Sequence, residues 1–441
     1  MKSHFSPYVP KALAVTLLTA LLGSCAAISE DQPPCPPASD SDHVKFHIRI
    51  SHTIAAPAVS KADNTPGHTD ETGEVYESAL NLSAIPADFR FYIFDNDNAG
   101  RLIYATGTAP DPDLIIGTAV TGYTINASIG TEVLSISHAN PDQVVNLRFA
   151  LVANLRSAGG EYIDNVTVYD SEKPSAVATT FTGLFNSPAA SNPGYRGTDF
   201  TLPDNWDPSV NGNFIPFYGY IDAQFTARQL LESEFYDVVF ADKALPLLRA
   251  VNRLEIVDAL PSGDTGYPRI SAVTVSNISA TGMLMSDYFN PLQNPGPYNP
   301  EQLTLPTGYA ASLTATRTMK QFSDVPLTIY LPNPDNPNVN IERTDKFSVF
   351  RTYLPEQSFA TGNAVSAQIN VSILGLDSEG NEQTYNYTLP SQGYDIWTNW
   401  GNQLIRNHIY RLVVTSVSGE LEIRYVVCPW NGIDVTIPPF S

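Results

Sequence analysis

Short stretches in which apolar and polar residues alternate run along much of this chain, and they predict β-strands. The clearest is residues 44–50, where Val44, Phe46, Ile48 and Ile50 alternate with polar or charged residues. Such a period of two is typical of a strand with one buried face. Further strands are predicted at residues 89–94, 143–154, 235–240 and 251–257. Residues 225–234 predict a short helix, so the chain is predicted to be mostly β.

The chain is long enough for two β domains. It has 441 residues, and its character changes near residues 242–248. Each half then has about 200 residues, a size that one β-sandwich can reach. With 35 prolines, the chain is also poorly suited to long helices. We therefore expect an all-β fold with two mostly antiparallel sandwich domains in tandem, at residues 43–242 and 243–441.

The N-terminus has the pattern of an export signal. Lys2 and Lys11 supply positive charge, and residues 12–22 are almost wholly apolar. This stretch is too short to span a bilayer as a mature helix. It ends in Leu-Gly-Ser before Cys25, which looks like a bacterial lipobox. We predict a lipoprotein signal peptide at residues 1–24 and lipid on Cys25, against the alternative of an ordinary signal peptide with an incidental cysteine.

Two segments lack the apolar residues that a core requires. Residues 25–42 are rich in proline, serine and acidic side chains, which predicts a flexible tether. Residues 55–76 contain prolines and glycines and almost no large apolar side chain. A connection of this length inside a compact domain is usually mobile or functional.

Charge and missing motifs exclude several functions. Lys and Arg total 24 against 45 Asp and Glu, so the net charge is −21, which argues against a nucleic-acid partner. The sequence contains no H-E-x-x-H, no P-loop and no G-x-S-x-G motif. It has only three cysteines and seven histidines. We therefore predict no enzyme activity, no cofactor and no metal site.

Three local patterns have a functional and a structural interpretation, and the structural one is favoured each time. His43, His47 and His52 lie close in sequence, as strand histidines or metal ligands. Residues 95–100, Asp-Asn-Asp-Asn-Ala-Gly, suit a hairpin turn better than a calcium loop, because alanine stands at a ligand position. Aromatic residues at 394, 397 and 400 suit either loop packing or a sugar-stacking platform. These aromatics are Tyr394, Trp397 and Trp400.

Several of these features together resemble the fimbrillins, the subunits of type V pili in Gram-negative anaerobes. The lipobox, the first strand and the long loop occur in the same order in that family. The motifs that carry the resemblance are FRFYIFDNDNAG at 89–100, LPLLRAVNRLEIV at 245–257, YLPE at 353–356, IRNHIYRLVVT at 405–415 and LEIRYVVCPWNGIDVTI at 421–437. They span almost the whole chain, although residues 110–235 match nothing in the family.

The resemblance implies a fold and a mode of assembly. Fimbrillins have two transthyretin-like β-sandwich domains and are exported as lipoproteins. A trypsin-like protease then cuts in the loop after the first strand, which corresponds here to Lys61. Loss of that strand, residues 44–50, opens a groove that a C-terminal strand of another subunit fills, a case of β-strand addition.

The resemblance also implies which residues form the donor strand. The alternating apolar residues near the C-terminus are Leu421, Ile423, Tyr425, Val427, Ile433, Val435 and Ile437. The alternative is that they are simply the last strands of their own domain.

Two cysteines are left once Cys25 carries lipid. Cys35 and Cys428 would both lie in an exported, oxidising compartment, where a disulfide can form. Such a bond would keep the lipidated peptide attached after a cut at Lys61. We favour the unbonded state, because two cysteines far apart in sequence need not be close enough in space to bond.

The sequence thus favours a structural, adhesive subunit of a fimbria at the cell outer membrane and cell surface. Its partners would be other fimbrial subunits, the outer membrane through the lipid on Cys25, a trypsin-like processing protease and a host or bacterial surface ligand. The alternative is a surface glycan-binding β-sandwich lipoprotein that uses Trp397 and Trp400.

Overall fold

The fold is all-β. A computed structural model describes residues 43–51, 71–72, 74–185, 195, 199–232, 237–239, 244–285, 313–333, 336–358, 367–389, 403–417 and 420–431. All of them belong to one compact unit, Asp42–Ser441. The helices are short: α1 (Thr131–Leu134), α2 (Phe181–Phe185), α3 (Ala227–Leu231) and the 3-10 helices Val75–Ser78 and Arg156–Ala158. Among the described residues, no helix is long and apolar enough to cross a bilayer.

The strands follow one another closely along the chain. In the first half they are β1 (His43–Ser51), β2 (Glu71–Thr72), β3 (Phe89–Asp95), β4 (Arg101–Ala105), β5 (Ile115–Thr118), β6 (Gly122–Gly130), β7 (Val144–Ala153), β8 (Phe200–Thr201), β9 (Phe217–Thr226), β10 (Asp237–Val239), β11 (Leu245–Pro246) and β12 (Leu248–Arg249). In the second half they are β13 (Val251–Asp258), β14 (Arg269–Ser279), β15 (Thr281–Gly282), β16 (Leu313–Thr318), β17 (Lys320–Asn333), β18 (Asn336–Pro355), β19 (Gln357–Ser358), β20 (Gln368–Leu376), β21 (Glu382–Leu389), β22 (Gln403–Leu404), β23 (His408–Val417) and β24 (Glu420–Asn431).

Two sheets of the first half share one core. One has the order β10-β1-β6-β5, with β11 also paired to β1, and the other has the order β12-β9-β7-β3-β4. Buried side chains from both sheets, such as Phe46, Ile125 and Phe149, belong to one continuous apolar cluster. The alternating pattern of β1 and β6 turns one face of each strand toward this cluster.

Two further sheets share a core in the second half. Their orders are β17-β18-β13-β23-β24-β2 and β16-β14-β20-β21. Ile256 and Leu412 from the first sheet and Val273 and Ile369 from the second are buried in one cluster. A smaller cluster lies under the long β17–β18 hairpin and includes Ile329.

The structure confirms most of the predicted elements. Strands occur at β1, β3, β7, β10 and β13, and the short helix is α3. Asp95 pairs with Arg101, so the Asp-Asn-rich segment is the predicted hairpin turn. Among the described strands, four pairs are parallel, which the sequence did not indicate: β1 with β10, β1 with β11, β13 with β23, and β2 with β24.

Strand β3, predicted at residues 89–94, is buried on both faces. The second face is covered by α2: the ring centroid of Phe94 lies 5.3 Å from that of Phe181, and the ring of Tyr92 lies 5.9 Å from that of Phe185. A segment distant in sequence therefore covers the face that a sandwich strand would turn to solvent.

Removing one ring from β1 tests how much this strand contributes to the first core. Phe46 is fully buried, and its ring lies 5.2 Å from Phe149 and 6.0 Å from Phe225. We expect Phe46→Ala to lower the free energy of unfolding by about 3–5 kcal/mol, measured by urea denaturation. Arg49→Ala, on the exposed side of the same strand, should change it by less than about 0.5 kcal/mol. Equal effects of the two variants would contradict this assignment.

Candidate functional site: the first strand and the segment that follows it

Strand β1 is paired along both edges. It runs antiparallel to β6, from His43 opposite Gly130 to Ile50 opposite Tyr123. Its other edge is parallel to β10 at residues 45–47 and to β11 at residues 50–51. Loss of this strand would therefore leave unpaired backbone groups on both of its neighbours.

The buried face of β1 is wholly apolar. Val44, Phe46 and Ile48 are at most 1% exposed, and Ile50 is 9% exposed. These side chains pack into the first core and form no ion pair there. They hold the strand by burial alone, so another strand with the same alternation could fill the same space.

The chain next appears in the described structure at β2, which pairs with a strand of the second half. Glu71 lies opposite Trp430 and Thr72 opposite Asn431, in parallel orientation to β24. The 3-10 helix Val75–Ser78 follows directly. The two ends of the segment at 52–70 thus join sheets of different halves.

Glu77 lies on this short helix, is fully buried and forms an ion pair with Arg253. Its carboxylate accepts hydrogen bonds from Arg253 at 2.7 and 2.9 Å and from the Tyr353 hydroxyl. Arg249 donates to the Glu77 carbonyl oxygen and to the Ser78 hydroxyl, each at 3.0 Å. The helix is therefore bound to the second half by specific charged contacts.

A second buried carboxylate lies within the same network. Glu255 forms ion pairs with Arg253 at 3.1 Å, Arg351 at 2.7 Å and Arg411 at 2.6 Å. Burial alone would raise the pKa of Glu255, but the three guanidinium groups hold this pKa well below its usual range. Burial opposes the charge of Arg253, yet Glu255 and Glu77 raise its pKa above the usual value.

The network and one further ion pair connect the motifs that resemble fimbrillins. Arg406 forms an ion pair with Glu356 at 2.7 Å, which joins the motif at 405–415 to the YLPE motif. Arg249 donates to Asn407 at 3.1 Å, and Arg411 reaches Glu255 in the motif at 245–257. Motifs that are distant in sequence thus meet in one buried polar layer.

Sequence analysis identified these motifs but not the charged layer. One signal was present: Arg253 and Glu255 occupy alternate positions of a strand whose other face, including Leu254 and Ile256, is apolar. In a chain with only 16% charged residues, opposite charges at such spacing could have indicated a buried ion pair. Their partner Glu77, from a distant loop, carried no such signal.

Many of the predicted site residues lie outside the described residues. These are Cys25, Cys35, His52, Lys61, Tyr394, Trp397, Trp400, Ile433, Val435 and Ile437. The structure therefore tests neither the cysteine pair nor the aromatic group, and those predictions stay predictions.

The described part of the predicted donor segment belongs to β24. This strand pairs with β23 along its length, from Val417 opposite Glu420 to His408 opposite Pro429. Leu421, Ile423, Tyr425 and Val427 lie on it, and Ile423 is buried in the second core. Within this single chain, these residues form the last described strand of their own sheet, and a donor role stays a prediction. Cys428 lies on the same strand, opposite Ile409.

The histidines and the Asp-Asn turn lie in ordinary strand and turn positions. His43 and His47 lie on β1, and Asp97 accepts hydrogen bonds from the backbone and side-chain nitrogens of Asn146. Within the described ranges, no three His, Cys, Asp or Glu side chains are grouped closely enough to hold a metal ion.

The chain is similar in structure to solved fimbrial proteins. One is the tip fimbrial protein Mfa3 from Porphyromonas gingivalis with C-terminal truncation, with 12% identity, a TM-score of 0.42, and coverage of 88% of this chain and 100% of the other. Another is a fimbrial assembly protein from Parabacteroides distasonis, with 13% identity, a TM-score of 0.39, and coverage of 87% and 96%. No protein-family model and no curated protein matches the sequence.

Glu77 on the short helix and Glu74 at its N-cap allow a matched test of the buried network. Glu77→Gln removes one of the two buried carboxylates that pair with Arg253, so we expect the free energy of unfolding to fall by about 3–5 kcal/mol in urea denaturation. Glu74, whose side chain is 48% exposed, also pairs with an arginine, Arg351 at 3.3 Å. Glu74→Gln should lower the free energy of unfolding by less than about 1 kcal/mol. If the two variants are equally stable, the buried pair does not anchor the helix.

Proposed function

We propose that this protein is a structural, adhesive subunit of a cell-surface fimbria that assembles by protease-triggered strand exchange. The single observation that carries the proposal is the position of β1. It is an early strand, it is paired on both edges, and its buried face is entirely apolar. The resemblance of the sequence motifs to fimbrillins supports the same function.

Strand exchange replaces one alternating strand with another. Removal of β1 would expose the edges of β6 and β10 together with the core positions that Phe46 and Ile48 fill. A groove of this kind is an aggregation hazard when it is empty. A donor strand would satisfy the backbone groups and place alternate apolar side chains into the vacated positions.

The contacts of Glu77 would hold the remaining chain in place after the cut. A cut after Lys61 leaves Glu71 and everything that follows it on the body of the protein. The short helix would then stay bound through Arg253 and Arg249. The new N-terminus, Ala62, would therefore precede the fixed residue Glu77 by 15 residues.

The remaining parts of the proposal concern domains and location. We propose two transthyretin-like sandwich domains, at 43–242 and 243–441. The two pairs of sheets support this number of domains, and β11 and β12, just after the proposed boundary, pair with the sheets of the first half. We propose that residues 1–24 are removed on export and that palmitate on Cys25 anchors the precursor in the outer membrane. The trypsin-like protease would then release the body into the fimbria.

Processing at Lys61 can be tested directly on cells. N-terminal sequencing of sheared fimbriae should give Ala62 as the first residue, because a cut after Lys61 precedes it. Lys61→Gln should leave a precursor that keeps radiolabelled palmitate and forms no SDS-resistant ladder. Lys45→Gln, on β1 itself, serves as the control and should be processed normally. A palmitate label that survives in Cys25→Ser would disprove the lipid anchor, and a ladder in Lys61→Gln would disprove the cut.

The donor face can be tested by its alternation. Serine at Ile433, Val435 and Ile437 together should abolish the ladder, because a polar face cannot fill the apolar groove. Serine at Asp434 and Thr436, on the opposite side of the same segment, should leave the ladder intact. Trimming at Lys61 should continue in both variants, which separates loss of exchange from loss of processing. Equal ladders in the two variants would rule out this segment as the donor.

A further inference from the structure

The second sandwich has an open cleft of about 480 Å³ at one end, between its two sheets. Its walls come from the loop after β13, from the β20–β21 pair and from the β23–β24 pair. Its volume lies within the ~300–1,000 Å³ that is usual for small-ligand sites. None of its lining residues belongs to the sheet of β1.

Two exposed tyrosines of β21 lie on the same face of the sheet as buried residues of β20. Tyr385 lies opposite Ile373 and Tyr387 opposite Val371, so all four side chains point to the core side of the sheet. Val371 and Ile373 are 1% and 5% exposed, but Tyr385 and Tyr387 are 39% and 38% exposed. Both tyrosines line the cleft.

The structure fixes the position of a third tyrosine at the mouth of the cleft. The Tyr267 hydroxyl donates a hydrogen bond to Glu382, and the guanidinium carbon of Arg269 lies 5.1 Å from the centre of the Tyr267 ring. On β20, a side chain at Gly375 would lie 3.2 Å from the Tyr385 ring, so glycine lets that ring lie close over the strand. Tyr267 and Tyr385 are thus in contact with neighbouring residues of the strands beside them.

The chemistry of the lining favours a neutral ligand. The residues that line the cleft are aromatic, aliphatic or hydroxyl-bearing, and none carries a charged side chain. Thr265 and Ser416 supply hydroxyl groups beside the tyrosines, and Leu260 and Leu421 supply apolar surface. The net charge of −21 and the lack of a cation in the lining disfavour phosphate or sulfate groups.

We propose that this cleft binds a neutral saccharide, with one pyranose ring stacked on Tyr385 and Tyr387. A pyranose has an apolar C–H face that suits a tyrosine ring and equatorial hydroxyls that suit Thr265 and Ser416. An added β-strand would instead need a row of pockets for alternate side chains, and the cleft offers one open space. The site is independent of strand exchange.

The experiment uses the purified full-length chain and four probes, the methyl glycosides of glucose, galactose, mannose and N-acetylglucosamine. Saturation-transfer NMR, with irradiation of the tyrosine ring protons, should show contact with at least one glycoside. In a titration, Tyr387→Ala and Tyr385→Ala should each raise the Kd for that glycoside by about tenfold or more, because each removes a stacking face. Tyr387→Phe keeps the ring and should bind within about threefold of the native chain.

Tyr330→Ala is the matched control. Like Tyr385 and Tyr387, this tyrosine lies on a strand, β17. Like Tyr267, it donates a hydrogen bond to a glutamate, Glu342, but it does not line the cleft. The Kd of the Tyr330→Ala variant for the glycoside should equal that of the native chain. Thermal unfolding of every variant identifies any loss of fold, and the NMR contact on the native chain needs no variant.

Three results would overturn the proposal. The first is the absence of any glycoside contact with the native chain. The second is binding that both tyrosine variants leave unchanged. The third is displacement of a bound glycoside by a synthetic peptide of residues 432–441, which would identify the cleft as a strand-docking site. The ladder assay uses other residues, so failure here and failure of strand exchange are distinguishable.

Discussion

The rest of the structure depends on the pairing of buried charge between Glu77, Glu255 and the arginines around them. Both carboxylates have no solvent exposure, and an unpaired charge in that position is strongly unfavourable. Arg253 lies between them and contacts both. Strands β13, β18 and β23 and the short helix must therefore adopt one relative arrangement, because any shift would leave a buried charge without a partner.

This constraint divides the protein into a part held by specific contacts and a part held by generic ones. Glu77 is bound through directed hydrogen bonds that another residue type would not reproduce. The inward side chains of β1, by contrast, are held by apolar burial, which depends on size and alternation rather than on identity. The two parts are thus adjacent in sequence but differ in the physics that retains them. The proposed exchange of β1 relies on this difference.

Sequence patterns predicted the elements that local alternation controls. Strand β1 shows this best, because one face meets the core and the other meets solvent. The sequence did not predict the burial or the pairing of a strand where these depend on segments distant in sequence. The second buried face of β3 depends on α2, and the parallel partner of β13 comes from a strand about 150 residues later. Of the candidate site, β1 was found from its pattern. Glu77 was not, because its burial arises only when a distant arginine pair meets it.

The tyrosines of β21 can also be explained by the face of the strand on which they lie. Both lie on β21, the last strand in the order of its sheet, and their inward positions line the open cleft. Aliphatic side chains there would form an exposed apolar patch beside an unpaired strand, a combination that favours aggregation. Tyrosine avoids this problem, because its hydroxyl stays hydrated while its ring retains an apolar face. Tyr385 and Tyr387 are therefore compatible with water when the cleft is empty and with an apolar ring face when it is filled, whereas their neighbours Ile373 and Val371 are suited only to burial.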